Sequence, residues 1–208
     1  MTRGRFITLE GIEGVGKSTN LEFLRELLER QDVAVLVTRE PGGTPLAEHI
    51  RKVLLKLRDE SMHPTTEALL IFAARSQHVS TVIEPALSVG KWVLCDRYTD
   101  ATYAYQGGGR GVPLSTLEHM AKFSQGSLWP DLTIYLDAPV ETALGRIVDK
   151  KRDRFESEEH AFFVKVRAAY LDIVDREERV VLIDATQPLQ DVQLRLSKVM
   201  ATFLGSLS

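Results

Sequence analysis

The segment Gly11-Ile12-Glu13-Gly14-Val15-Gly16-Lys17-Ser18 is the strongest constraint on what this chain can fold into. It satisfies Gly-x-x-x-x-Gly-Lys-Ser/Thr without a mismatch. Glycines at those positions let the backbone curl until successive amides point inward around an anion. Lys17 brings a cation to terminal phosphates, and the Ser18 hydroxyl is placed to ligate Mg2+. The flanks agree with this reading. Phe6 to Leu9 reads as a buried strand, and Thr19 to Arg30 as an amphipathic helix with Leu21, Leu24, Leu27 and Leu28 on one face. Strand, loop, helix is the order that sets a helix N-terminus against a phosphate. Gly11 through Thr19 is therefore the candidate nucleotide-phosphate site.

The rest of the chain repeats that alternation. Candidate strands are Phe6 to Glu10, Ala34 to Arg39, Trp92 to Asp96, Leu132 to Asp137 and Val180 to Asp184. Candidate helices are Lys17 to Arg30, Leu46 to Leu57, Thr65 to Val89, Leu114 to Gly126, Val140 to Lys150, Ser157 to Arg176 and Leu189 to Leu204. Near-continuous apolar strands separated by helices predict a five-stranded parallel sheet covered on both faces, an α/β three-layer architecture. Such sheets bind ligands at the carboxyl ends of their strands. The polar residues closing each strand are then expected to converge: Glu10 with the phosphate loop, Arg39-Glu40, Asp96-Arg97, Asp137 and Asp184.

At 208 residues the chain reads as a single domain, 1–208, with room for a full core. Its net charge of −3 argues against a dedicated nucleic-acid binder. One cysteine, Cys95, precludes an internal disulfide and suits a reducing cytoplasm. Its apolar strand marks it as core. No apolar run approaches membrane-spanning length, and Met1 to Arg5 lead straight into the first strand without a secretory core.

Several polar residues read as an acceptor side. Asp96, at a strand end beside the phosphate loop, is placed to hold Mg2+ or orient an attacking oxygen. Arg97 next to it is placed to clamp a phosphate bidentately. Pro41-Gly42-Gly43 forces a turn after Arg39 and Glu40; Arg39 reaches for a phosphate and Glu40 orients an arginine. Arg51 on the next helix is a weaker candidate of the same kind. Ile71, Phe72 and Arg75 share a helix face, an apolar side chain beside an arginine, as a flat base with carbonyl edges requires. Tyr103-Ala104-Tyr105-Gln106-Gly107-Gly108-Gly109 is a second glycine-rich segment, where backbone is expected to approach a ligand closely, with Tyr103, Tyr105 and Gln106 to stack on and hydrogen-bond to a base.

Arg146, Lys150, Lys151, Arg152 and Arg154 crowd one short stretch after the fourth strand. Phosphoryl transfer between anions gains several powers of ten from an added arginine. The phosphate loop interior carries Glu13-Gly14 and none. A mobile basic lid over about 146–156 would supply it, with Arg146, Arg152 and Arg154 as candidates.

These pieces, in order over nearly the whole length, resemble the bacterial thymidylate kinases, a P-loop nucleoside-monophosphate kinase family. The matching segments include Leu9 to Thr19, Thr38 to Gly43, Phe72 to Arg75, Asp96-Arg97-Tyr98, Ala104 to Gly111, Pro130 to Thr133, Tyr135 to Asp137, Asp153 to Glu156 and Ile183 to Ala185. The resemblance implies a P-loop NTPase fold and transfer of phosphate from ATP·Mg2+ to dTMP, giving dTDP. It places Glu13 near the sugar 3′-hydroxyl, and Arg39, Arg75 and Arg97 around the 5′-phosphate or thymine edge. Ile71 or Phe72 stacks on the base, Gln106 approaches it, Tyr105 meets the deoxyribose, and Asp96 serves the Mg2+. Glycine at position 14 with a basic lid resembles the bacterial class, and the family implies a homodimer formed through helices. A lid rich in lysine and lacking glycine departs from many relatives. Rival readings are a kinase for another nucleotide, a GTP-dependent switch, against which stands the lack of Asn-Lys-x-Asp, and a silent nucleotide-binding regulator.

Overall fold

A computed structural model describes residues 2–147, 153–156 and 158–207. Five strands form one parallel sheet in the order β2-β3-β1-β4-β5: β1 Phe6–Glu10, β2 Val35–Arg39, β3 Trp92–Asp96, β4 Leu132–Asp137 and β5 Val180–Asp184. β1 is central and wholly buried, because its FITLE run is covered on both faces. The edge strands are more open: no residue of β2 is fully buried, and in β5 only Val180 and Ile183 are. From β1 the chain moves outward to β2, returns through β3, then crosses to β4. The strand order thus switches between β1 and β3, and the crevice beyond their carboxyl ends is where such sheets take ligands. Register sets Leu9 and Arg39 on either side of Asp96, so three strand ends meet there.

Around the sheet lie α1 Lys17–Glu29, α2 Pro45–Leu55, α3 Pro64–His78, α4 Glu84–Ser88, α5 Thr99–Thr102, α6 Leu114–Gln125, α7 Val140–Gly145, α8 His160–Arg176 and α9 Leu189–Gly205. Leu21, Leu24 and Leu28 of α1 pack into the largest core cluster with Leu9, Ile134 and Leu196. Thr44 caps α2, its hydroxyl accepting the Ala47 amide at 3.0 Å. Among the described residues no helix is long and apolar enough to cross a membrane.

Three expectations change. The long helix expected over 65–89 is α3 and α4 joined by a π-helical turn, Val79–Ile83, with Pro85 in the first turn beyond it. Proline lacks the amide that a continuous α-helix would use. The glycine-rich segment Tyr103–Gly109 is π-helical rather than an open ligand-contacting loop. Its glycines serve helix packing. A Cβ on Gly108 would press on Ala169 and the Lys165 carbonyl, and one on Gly109 would overlap the Phe162 ring. α8 therefore lies close against this segment, and the bend of the π-helix aims Tyr105 and Gln106 into the cleft. In addition, α7 stops at Gly145 where a helix to Lys150 was expected, and α8 begins at His160 where Ser157 was expected; residues 148–152 of the basic stretch lie outside the described residues.

Candidate active site

One cleft of about 540 Å³ opens at the β1–β3 switch, and the phosphate loop forms one of its walls. The loop turns on Gly11, Gly14 and Gly16, with φ of 140°, 80° and 88°. Only glycine adopts these values without strain. A Cβ on Gly14 would also overlap the Ala143 carbonyl oxygen. Ile12 and Val15 point into the core and anchor the loop from beneath. α1 begins at Lys17 with no side-chain cap and no acidic residue in its first turn. Its first amides, including those of Ser18 and Thr19, therefore face the cleft as an anion site. Lys17 Nζ folds over the loop and donates to the carbonyls of Gly11 (3.0 Å) and Ile12 (2.8 Å). Burial, then the nearby Arg97 charge, lower its pKa to about 8.

The opposite wall is the Asp96-Arg97-Tyr98 turn. Arg97 has φ 67°, a left-handed conformation rare for a non-glycine residue. Three hydrogen bonds hold it there. The Arg97 amide donates to the Leu9 carbonyl, the Tyr98 amide to Glu10 Oε1 at 2.7 Å, and the Cys95 thiol to the Arg97 carbonyl. Cys95 is thus a buried core residue that also braces the turn. The guanidinium of Arg97 reaches across to Glu13 and lies 4.8 Å above the Tyr105 ring, whose hydroxyl donates to Glu13 Oε2 at 2.7 Å. Burial works to raise the Glu13 carboxyl. Arg97, Lys17 and Tyr105 outweigh it and hold that carboxyl below its ordinary range. Asp96 lines the cleft too, and its buried Oδ1 has no hydrogen-bond partner.

Deeper in, Arg75 of α3 is almost wholly buried, with 1% of its surface exposed. Its Nε donates to Glu40 Oε2 at 2.6 Å, and its Nη2 donates to the Tyr98 carbonyl and the Thr102 hydroxyl. Nη1 has no partner, although it is buried. Glu40 orients an arginine, as its position in the turn implied, and that arginine is Arg75. Ile71 and Gln106 stand beside Arg75 on the cleft wall.

Not every candidate reaches the cleft. Phe72 is rotated about 100° around α3 from Ile71 and packs in a cluster with Ala68, Val112, Leu117 and Ala121. Arg39 is exposed and paired with Glu48, outside the lining. Arg51 does line it, with Nη1 donating to the Pro41 carbonyl. Asp137 is held bidentately by Arg167 at 2.8 Å on the β4 side, and Asp184 caps Thr186 and Gln187 on the outside, so these two strand ends do not join the cluster. Of the lid arginines, Arg146 lines the cleft and donates to the Ala185 carbonyl. Arg154 is turned away: it donates to the Leu54 carbonyl and ion-pairs with Glu67 at 2.7 Å. Arg152 lies outside the described residues.

A family profile described as thymidylate kinase matches residues 9–196. The chain belongs to the thymidylate kinase family. A relative named thymidylate kinase from Pseudomonas fluorescens (strain SBW25) is 54% identical over 203 residues, covering 97% of each chain. Another from Alkalilimnicola ehrlichii is 52% identical over 205 residues, covering 97% of this chain and 94% of the relative. A third, from Pseudomonas savastanoi pv. phaseolicola, is 55% identical over 203 residues and covers 97% of each.

Of three further buried polar residues in this thymidylate kinase fold, Glu67 and His78 escaped the sequence reading, whereas Glu10 was among the strand ends expected at the site. Glu67 accepts hydrogen bonds from Gln106 (2.7 Å) and Arg110 as well as pairing with Arg154. Glu10 accepts from Tyr98 and from the Tyr170 hydroxyl. His78 touches Glu40. A signal existed for two of them. Glu67, Ile71, Arg75 and His78 recur at spacings of four, four and three, one continuous stripe along α3.

Proposed function

We propose that this chain transfers the γ-phosphoryl group of ATP to dTMP, giving ADP and dTDP. The observation that carries this reading is the shared cleft. The phosphate loop and the Arg75–Gln106 pocket open into the same volume, with Arg97 between them. A donor on the loop and an acceptor whose base lies at Arg75 would bring their phosphates together near Arg97.

An oxygen of the acceptor phosphate attacks the γ-phosphorus, and the bond from that phosphorus to the β-bridging oxygen breaks, its electron pair leaving with ADP. The attacking oxygen is already largely ionised at neutral pH, so no general base is required. Positioning and charge neutralisation supply most of the rate. Lys17 exchanges the loop carbonyls for the β- and γ-phosphates. Arg97 holds the acceptor phosphate, with Glu13 and Tyr105 fixing the guanidinium. The free Nη1 of Arg75 donates to a ring carbonyl, Gln106 meets the base, and Ile71 covers its face. A lid arginine, Arg146, Arg152 or Arg154, completes the charge on the transferring group.

The orphaned Asp96 Oδ1 and the Ser18 hydroxyl line one cleft, two hard oxygen donors of the kind Mg2+ takes alongside phosphates. When bound there, the ion would neutralise phosphate charge. The chain is also proposed to work as a homodimer. α2 packs on α3 and α3 on α6, and these helices expose Leu46, Val53, Leu69 and Phe123, the last 95% exposed.

The test is ADP release from ATP with Mg2+ and dTMP, dUMP, dCMP, AMP or no acceptor, side by side. Strong turnover with dTMP, weaker with dUMP and none without acceptor is expected. Preference for another monophosphate would overturn the substrate assignment, and acceptor-independent hydrolysis would overturn the kinase reading.

A further inference from the structure

Arg75 is useful to a base only if its guanidinium cannot turn. Three of its contacts come from backbone and side chains around it, and the strongest is the ion pair to Glu40, buried on both sides. A carboxylate held by one arginine alone still pivots about that contact. Glu40 does not, because its second oxygen is taken. His78 Nδ1 lies 3.0 Å from Glu40 Oε1, and the His78 ring is completely buried. An ionised carboxylate only accepts, so Nδ1–H donates to Glu40. In a neutral ring Nε2 is then left to accept the Thr38 hydroxyl proton, and the two atoms are 2.7 Å apart.

A chain of hydrogen bonds, buried from His78 onward, thus runs from Thr38 on β2, through His78 on α3 and Glu40 beyond β2, to Arg75 and the cleft. The fold makes room for it. Gly43 has φ 82°, and a Cβ there would overlap His78 Nε2. The end of the chain is the unpartnered Nη1 of Arg75. It donates and never accepts, so it favours a base edge bearing a carbonyl and opposes one bearing an amino group at the same place.

We propose that His78 is a positioning residue for base selection: through Glu40 it fixes Arg75 so that Nη1 meets a ring carbonyl of the acceptor. This rests on the acceptor assignment made above. The comparison that isolates it is dTMP, dUMP and dCMP. The first two carry the same ring carbonyl, which cytosine replaces with an amino group.

The experiment uses the full chain as wild type, His78→Leu and His78→Asn. Leucine fills the space without a donor, and asparagine returns an N–H near the position of Nδ1. kcat and KM are measured with each monophosphate, and thermal midpoints alongside. In His78→Leu the KM for dTMP is expected to rise about tenfold with kcat within about threefold. The dTMP/dCMP ratio of kcat/KM falls about tenfold, as loss of a polar selection contact implies, while the dTMP/dUMP ratio holds. His78→Asn recovers most of the lost selectivity. A His78→Leu enzyme with a lowered midpoint but unchanged dTMP/dCMP ratio would overturn the proposal, leaving His78 a packing residue. So would equal loss of both ratios, or no recovery in a folded His78→Asn. Failure of the acceptor assignment would show differently, as wild type that does not prefer dTMP.

Discussion

Arg97 Nη2 donates to Glu13 Oε1 at 2.8 Å, joining the turn after β3 to the interior of the phosphate loop. The two residues are 84 positions apart in sequence and lie just beyond the carboxyl ends of β1 and β3, the two strands that flank the topological switch. The pair is partly open to the cleft, with side-chain exposures of 16% and 15%. The contact therefore holds an arginine at the junction of the two proposed phosphate sites while leaving it accessible.

Arg97→Ala is expected to lower kcat/KM for dTMP by roughly 10²–10³, the range for loss of a preorganised donor at the reacting group, with the far-ultraviolet circular dichroism unchanged. Lys17→Ala should do the same. Near-wild-type turnover in either folded variant would remove it from the mechanism. Glu13→Gln keeps an acceptor for the Tyr105 hydroxyl but not the charge, and should raise the dTMP KM more than it lowers kcat.

Glu10 gives a pH signature. Burial first, then the neighbouring Asp100, push its carboxyl up to about 7 from an ordinary 4.5. Between these values the folded chain binds more protons than the unfolded one, so the Glu10 contribution to stability is full below pH 4.5 and is lost as pH rises through 7. Glu10→Gln, which stays neutral and can keep the bond from the Tyr98 amide, should be more stable than wild type at pH 8, by on the order of 3 kcal/mol, and closely matched at pH 4.5. Thermal or urea melts at the two pH values check it. A variant advantage that is the same at both pH values would rule out Glu10 as the source.

Gly14 and Gly111 separate backbone strain from collision. Both have positive φ, 80° and 76°, but a Cβ on Gly14 strikes the Ala143 carbonyl while the space around Gly111 is open. Gly111→Ala should cost about 1–2 kcal/mol, the strain of an L side chain in the left-handed region. Gly14→Ala should cost about 2–4 kcal/mol, adding displaced backbone to the strained φ, and should weaken ATP binding as α7 moves off the loop. Urea midpoints give the first comparison and calorimetric titration the second.

Glu67 is buried between Gln106, Arg110 and Arg154, and Arg110 continues to Glu158. Glu67→Ala leaves two guanidinium groups short of a counter-charge, at a cost of about 3–5 kcal/mol. Because Gln106 faces the cleft and Arg154 belongs to the basic segment, Glu67→Gln should raise the dTMP KM severalfold while the ATP KM moves less. Equal changes in both constants would show that Glu67 acts on stability alone.

What could be read from the sequence was local. The Gly11–Ser18 loop, its strand and its helix are set by residues adjacent in the chain, since positive φ, an uncapped helix start and a central buried strand are properties of short segments. The five strands also declared themselves by apolar runs: four match the expected bounds at both ends, and β2 starts one residue later than expected. The ambiguity between Ile71 and Phe72 was of another kind. Adjacent helical residues differ by about 100°, and which one meets the cleft depends on the rotation that tertiary packing gives α3. The same limit hid the function of Gly107-Gly108-Gly109, where glycine is required by a neighbouring helix, α8, some 50 residues further on, and not by its own backbone.

The sequence by itself determined that this chain builds a phosphate loop on a parallel sheet and belongs with the thymidylate kinases. Only the tertiary structure decided which buried charges meet. Glu40 finds Arg75 and His78 at 35 and 38 positions' distance, and Glu67 gathers Gln106, Arg110 and Arg154. A buried charge must be paired wherever the fold sends it, and the partner is chosen by strand order and helix rotation, which no short stretch of sequence contains.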